Sequence, residues 1–194
     1  IYDLGKYATI TNVGSVTYNA LSPYAAPTPH GGSLFINSAS TQYLSYSSDP
    51  AFGFGTGDFT VEGWFYFNNL QNQLWPFDFR SPGGIAQVKP AIFINGSNNQ
   101  ISLYINGLIY LYGPNIYNGI WYHIAITRAS AVTRLYVNGQ QYGGVFTDTF
   151  DYGSSNYLTF GTSGNGPGTP YNNYYVSNFR VLKGRALYTT TTFT

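Results

Sequence analysis

The sequence predicts an all-β fold, a jelly-roll-like β-sandwich of two antiparallel sheets. Three observations carry that prediction. About a dozen short runs rich in Val, Ile, Thr, Tyr and Phe follow one another, and none shows sustained helical periodicity. Asn-Gly pairs punctuate them at 95–96, 106–107, 118–119 and 138–139, and those at 106–107 and 138–139 supply the positive φ that tight hairpins need. Finally, Phe59–Phe67, F-T-V-E-G-W-F-Y-F, is apolar on both faces, as expected of a strand at the centre of a sheet in a two-layer sandwich.

The elements follow in order. Tyr7–Val13 reads as a strand, with Val16–Tyr18 as its partner across Gly14-Ser15. Pro23, Pro27 and Pro29 remove ladder donors, so 21–32 reads as an extended crossing segment. Residues 1–30 are then either the opening of the domain or a linker into it. Ser33–Ile36 and Gln42–Tyr46 are short strands. The glycines of Gly53–Gly57 imitate a phosphate loop, but a strand follows rather than a helix, so a turn is expected. Along Phe59–Phe67, alternation sends Val61, Gly63, Phe65 and Phe67 one way and Thr60, Glu62, Trp64 and Tyr66 the other.

Leu74–Phe79 contains Pro76 and reads as an edge strand or a loop. Ala91–Ile94, Ile101–Ile105 and Leu108–Tyr112 follow, the last two joined as a hairpin at Asn106-Gly107. Trp121–Arg128 and Thr133–Val137 flank a short connection at Ala129–Ala131, and Asn138-Gly139 returns a strand toward Val145. Phe146–Asn156 and Gly161–Pro170 are loops on either side of the strand Tyr157–Phe160. Tyr175–Leu182 is the last long strand, with Arg185–Thr189 a closing one.

Composition narrows the function. The 194 residues suit one β domain spanning 1–194. Charged residues are 8% of the chain, against about 25% in ordinary domains. Net charge is +1 with no basic run, which disfavours capture of nucleic acid or anionic lipid. No apolar run approaches the roughly 18 residues of a membrane span. There is no Cys to form a disulfide or a thiolate metal site. The chain starts at Ile1 and contains no Met, which implies a piece of a longer product.

Four stretches carry a family resemblance: Gly31–Leu44 (G-G-S-L-F-I-N-S-A-S-T-Q-Y-L), Gly57–Phe67 (G-D-F-T-V-E-G-W-F-Y-F), Trp121–Gln140 (W-Y-H-I-A-I-T-R-A-S-A-V-T-R-L-Y-V-N-G-Q) and Val176–Thr189 (V-S-N-F-R-V-L-K-G-R-A-L-Y-T). Together they resemble the laminin-G-like, concanavalin A-like lectin/glucanase domains, most nearly the version found in phage tail and other virion structural proteins. The resemblance implies a concanavalin A-like sandwich in a virion or extracellular setting. It implies a non-enzymatic module that binds cell-surface glycans for host attachment. The alternative is a structural or decoration domain that meets other virion subunits without binding sugar. Expected partners are a host-surface polysaccharide, other virion subunits, or further copies of the chain.

Enzymatic readings fare poorly. Glucanases of this fold need paired carboxylates, usually in an E-x-D-x-x-E pattern, and Glu62 is the only Glu in the chain. Asp58 and Glu62 on one strand face would lie about 13 Å apart at roughly 3.3 Å per residue. Glycosidase pairs need about 5.5 Å or at most about 9.5 Å. The two histidines, His30 and His123, have no G-x-S-x-G partner; His123 reads as a half-buried, hydrogen-bonded strand residue. Sugar binding needs aromatic faces beside amides and hydroxyls. Tyr171, Asn172, Asn173 and Tyr174 offer them, with Trp75 and Tyr112 as partners. The competing reading packs these tyrosines under the glycine-rich loop or against a neighbouring subunit. Calcium is the one cofactor candidate, at Asp148, Asp151 and Asn156, which are oxygen donors in one loop. Ordinary turn-forming Asp and Asn are the alternative there.

Overall fold

The computed structural model describes residues 9–24, 31–37, 42–70, 73–81, 84, 86–163 and 173–193. Within them run fourteen strands: β1 (Ile10–Val13), β2 (Thr17–Asn19), β3 (Ser33–Asn37), β4 (Tyr43–Asp49), β5 (Phe59–Phe67), β6 (Leu74–Asp78), β7 (Ala91–Asn95), β8 (Gln100–Ile105), β9 (Leu108–Asn115), β10 (Trp121–Ala129), β11 (Val132–Val137), β12 (Gln140–Thr147), β13 (Asn156–Phe160) and β14 (Asn173–Lys183). One 3-10 turn, Pro50–Phe52, is capped by the Asp49 carboxylate. No helix among the described residues is long and apolar enough to cross a membrane.

The strands form two antiparallel seven-stranded sheets. The first runs β1-β4-β13-β6-β7-β8-β9 and the second β12-β11-β10-β5-β14-β3-β2. Between them lies the core, built from the inward residues of both: Phe59, Val61, Phe65 and Phe67 of β5, Phe77 of β6, Ile92 and Ile94 of β7, and Ile124 and Ile126 of β10. The expected central strand, β5, is the fourth of seven in its sheet. The hairpins at 106–107 and 138–139 form with both turn residues at positive φ. A third tight connection, Ser130-Ala131, also has both residues at positive φ. Its sequence lacks Gly and Asn, so turn chemistry gave no hint of it.

Three expectations need correction. β1 and β2 do not pair with each other: β1 pairs β4 and β2 pairs β3, in different sheets. The chain between them, with Gly14 and Ser15 at positive φ, crosses from one sheet to the other. β6 is not at an edge. It lies between β13 and β7 despite Pro76. Its ladder with β7 shifts register between Leu74 and Phe77, so the proline falls where pairing is already interrupted. Lastly, residues 184–193 hold a single isolated bridge, Gln140–Thr192, rather than a closing strand.

Those last residues form a strap across the outer face of the second sheet. It is tied to β5 where Thr60 Oγ1 donates to Arg185 O (3.0 Å) and accepts from Leu187 N (2.9 Å). Thr127 of β10 donates to Tyr188 O (2.8 Å), and Tyr136 of β11 to Thr190 O (2.7 Å). At β12, Gln141 N donates to Thr191 O (2.8 Å). Outward-facing hydroxyls of successive strands thus hold a segment that runs across them.

Candidate functional site

Beside the strap, on the outer face of β5, β10 and β14, lies a cleft of about 470 Å³. It is lined by Tyr24, Glu62, Trp64, His123, Asn178, Phe179, Arg180 and Tyr188. Strand alternation on β5 delivers Glu62 and Trp64 to it, since Phe65 and Val61 face the core. Antiparallel pairing sets His123 of β10 directly opposite Trp64.

Arg180 reaches the cleft through a bulge. Before it, Ser177 pairs with Trp64; after it, Arg180 pairs with Glu62. Asn178 and Phe179 together oppose the single residue Gly63, and Asn178 takes a left-handed φ of 47°. The extra residue drives the Phe179 ring inward onto Phe65, Phe77 and Phe160 and brings Arg180 back to the outer face. Gly63 makes room: a Cβ there would lie 2.9 Å from the Phe179 ring.

Four donors converge on Glu62. Arg180 Nε donates to Oε1 at 2.6 Å, and its Nη2 reaches the same oxygen. The Tyr188 hydroxyl donates to Oε2 at 2.7 Å, and His123 Nε2 lies 3.3 Å from that oxygen. Burial pushes the Glu62 carboxyl up, but the bonds from His123, Tyr188 and Arg180, with the Arg180 charge, outweigh it and bring the pKa down to about 2. Burial likewise raises the Tyr188 phenol to about 12, reinforced by its bond to Glu62. The His123 ring packs on Trp64 (5.2 Å between centroids) and against Phe193 of the strap (5.7 Å). Tyr24 stands edge-on to Trp64 at 6.3 Å.

The residues singled out from the sequence are dispersed. Tyr171, Asn172 and His30 lie outside the described residues. Tyr174 is a core residue, fully buried against Phe65 and Phe67, its hydroxyl donating to Pro76 O at 2.9 Å. No part of its ring is open to a sugar. Asn173 Oδ1 accepts a hydrogen bond from Asn68 Nδ2 (2.9 Å). Trp75 is also buried, on the opposite sheet, packed on Phe93 and under the Arg80 guanidinium. Tyr112 is exposed, on β9 of the first sheet.

The three calcium candidates have separate commitments. Asp148 is buried; its Oδ2 accepts from Thr133 (2.6 Å) and Tyr152 (2.7 Å), with Arg128 Nε at 3.7 Å. Asp151 caps Gly153 N, and Asn156 donates to Phe52 O. Among the described residues, no three His, Cys, Asp or Glu side chains group so as to hold a metal ion.

The sequence sets Asp58 too far from Glu62 to act with it, and the neighbours that Glu62 does have, Arg180, Tyr188 and His123, were not anticipated. Asp58 instead accepts from Ser130 N (2.8 Å). The available signal was the shared face of Glu62 and Trp64; Arg180 was hidden because a bulge changes parity within β14.

A laminin-G-type family model, described as the concanavalin A-like lectin/glucanases superfamily, matches residues 38–188. The chain belongs to this superfamily. Among solved structures, this superfamily member is similar to Domain 4 of AbnA, an extracellular arabinanase of Geobacillus stearothermophilus, solved in complex with arabinotriose. The TM-score is 0.67 at 17% identity, over 94% of this chain and 85% of that one. It is also similar to the binding domain of Paraclostridial Mosquitocidal Protein 1 (TM-score 0.68, 16% identity, 96% of this chain and 46% of that one). A third is a mutant Trypanosoma rangeli sialidase displaying trans-sialidase activity (TM-score 0.61, 14% identity, 93% of this chain). This superfamily member spans 28% of that sialidase's length. At such identities the likeness is one of fold. No curated protein matches by sequence.

Proposed function

We propose that the chain is a non-enzymatic glycan-binding module of a virus particle, and that the cleft over β5, β10 and β14 is where the sugar sits. The observation that carries this is the cleft's make-up. A partly exposed Trp64 ring stands beside the exposed Arg180 and Asn178, which is the aromatic-plus-polar pairing that sugar rings require. Family membership and the arabinotriose complex of a similar domain support it. The virion setting rests on the phage-like Trp121–Gln140 and Val176–Thr189 motifs. A binding rather than hydrolytic role is supported by Glu62. A glycosidase acid has a raised pKa, whereas this one is lowered to about 2 and has no carboxylate partner among the described residues of the cleft.

The test is a glycan array on the recombinant chain, followed by titration of any hit against a Trp64→Ala variant. The expected result is binding that weakens about tenfold or more on loss of the ring. A blank array from folded protein would overturn the proposal. It would favour the structural alternative, which Tyr112, Leu108 and Val145 support as exposed apolar residues of β9 and β12.

A further inference from the structure

We propose that the cleft selects glycans bearing a carboxylate, received by the outer edge of the Arg180 guanidinium. This rests on the glycan reading of the same cleft. The Glu62–Arg180 pair is lopsided. The Glu62 side chain is 4% exposed and that of Arg180 51%. All four donors that reach Glu62 come from the protein, so its lone pairs are spent on Arg180, Tyr188 and His123. To Glu62, Arg180 gives the edge carrying Nε and one Nη2 hydrogen. The edge formed by Nη1 and the other Nη2 hydrogen is the geometry that receives a carboxylate with two parallel bonds.

A ligand entering the cleft therefore meets a buried, satisfied anion behind an exposed cation. Neutral sugar hydroxyls find no free lone pair on Glu62 to donate to, since that carboxylate is already full. A ligand carboxylate has no proton to place and forms charge-assisted bonds. The Trp64 ring remains available to the C–H face of its sugar ring. Asn178, exposed and held by its left-handed turn, adds an amide beside the guanidinium.

The experiment uses the whole chain on an array of matched pairs: uronate- and sialate-bearing glycans beside their methyl esters, with Trp64→Ala protein in parallel. The expected result is that the free acids bind at least about tenfold more tightly than their esters, that salt narrows the gap, and that a folded Glu62→Gln/Arg180→Gln double variant loses the preference. Equal binding of acids and esters, still dependent on Trp64, would overturn the carboxylate selectivity while leaving the glycan reading standing. A blank array would overturn the glycan reading and the selectivity with it. Should the double variant not fold, the acid-to-ester ratio on the unaltered chain decides the matter alone.

Discussion

Glu62 is the residue on which the cleft turns, because it is a nearly buried carboxylate that stays ionised. Its pKa in the fold is about 2, against an ordinary 4.5. A depressed carboxyl contributes stability above its unfolded pKa, and that contribution is lost as pH falls through the folded value. The window is therefore from about pH 4.5 down to about 2, and the shift corresponds to about 3 kcal/mol. Glu62→Gln should lower stability by about 2 kcal/mol at neutral pH, since Arg180, Tyr188 and His123 lose a charged acceptor. It should also flatten the decline in stability below pH 4.5. Denaturant melts at pH 6 and pH 3 on both proteins check this; parallel pH profiles would show that the carboxylate is not held as described.

At the scale of elements, the bulge in β14 decides what the cleft contains. Strand periodicity is two, so one inserted residue exchanges the faces of everything after it. Without the bulge, Asn178 alone would oppose Gly63, Phe179 would fall opposite Glu62 and face outward, and Arg180 opposite Val61 would turn toward the core. Asn tolerates the left-handed φ of 47° because its short polar side chain bonds locally, here to Ser177 Oγ at 3.2 Å. Asn178→Gly should leave stability within about 0.5 kcal/mol of the starting protein, while Asn178→Val should cost about 1–2 kcal/mol from β-branched strain. The same melts report it, and equal stability of the two variants would mean that the bulge geometry is not strained. The strap is the second element that matters, since it brings Tyr188 to Glu62 and Phe193 onto His123.

At the scale of the whole molecule, the two sheets are joined at one end by a polar knot. Arg128 of β10 is buried and donates to Asp148 O (2.6 Å), Phe150 O (3.0 Å) and Gly55 O (3.3 Å). It thereby holds the loop that leaves β12 of one sheet for β13 of the other. Asp148 balances its charge, and the Tyr152 hydroxyl closes the group. Asp148→Ala should cost about 3–5 kcal/mol, because it strands a buried guanidinium. Millimolar calcium should leave the melting temperature of the unaltered chain unchanged. A site filled to 100 times its Kd would add about 2.7 kcal/mol. A calcium-dependent rise would reassign Asp148 from this knot to a metal site.

Most strand positions, the central place of β5, the Asn-Gly hairpins at 106–107 and 138–139 and the shared face of Glu62 and Trp64 were legible in the chain. Each depends on neighbours a few residues apart, through the two-residue alternation of a strand or the φ demanded by a turn. The four family stretches carried the sandwich itself. Pairings between distant segments were not legible. Nothing near Ile10 or Thr17 says that they enter different sheets, and nothing beside Pro76 says that a register shift admits it to a sheet interior. Tyr174 looks like Asn173 and Tyr175 beside it in composition, yet packing against Phe65 and Phe67 makes it core. Glu62 and Arg180 lie 118 residues apart. Their meeting depends on a bulge whose position is set by how Phe179 and Gly63 fit together, and such a fit exists only once the strands are side by side.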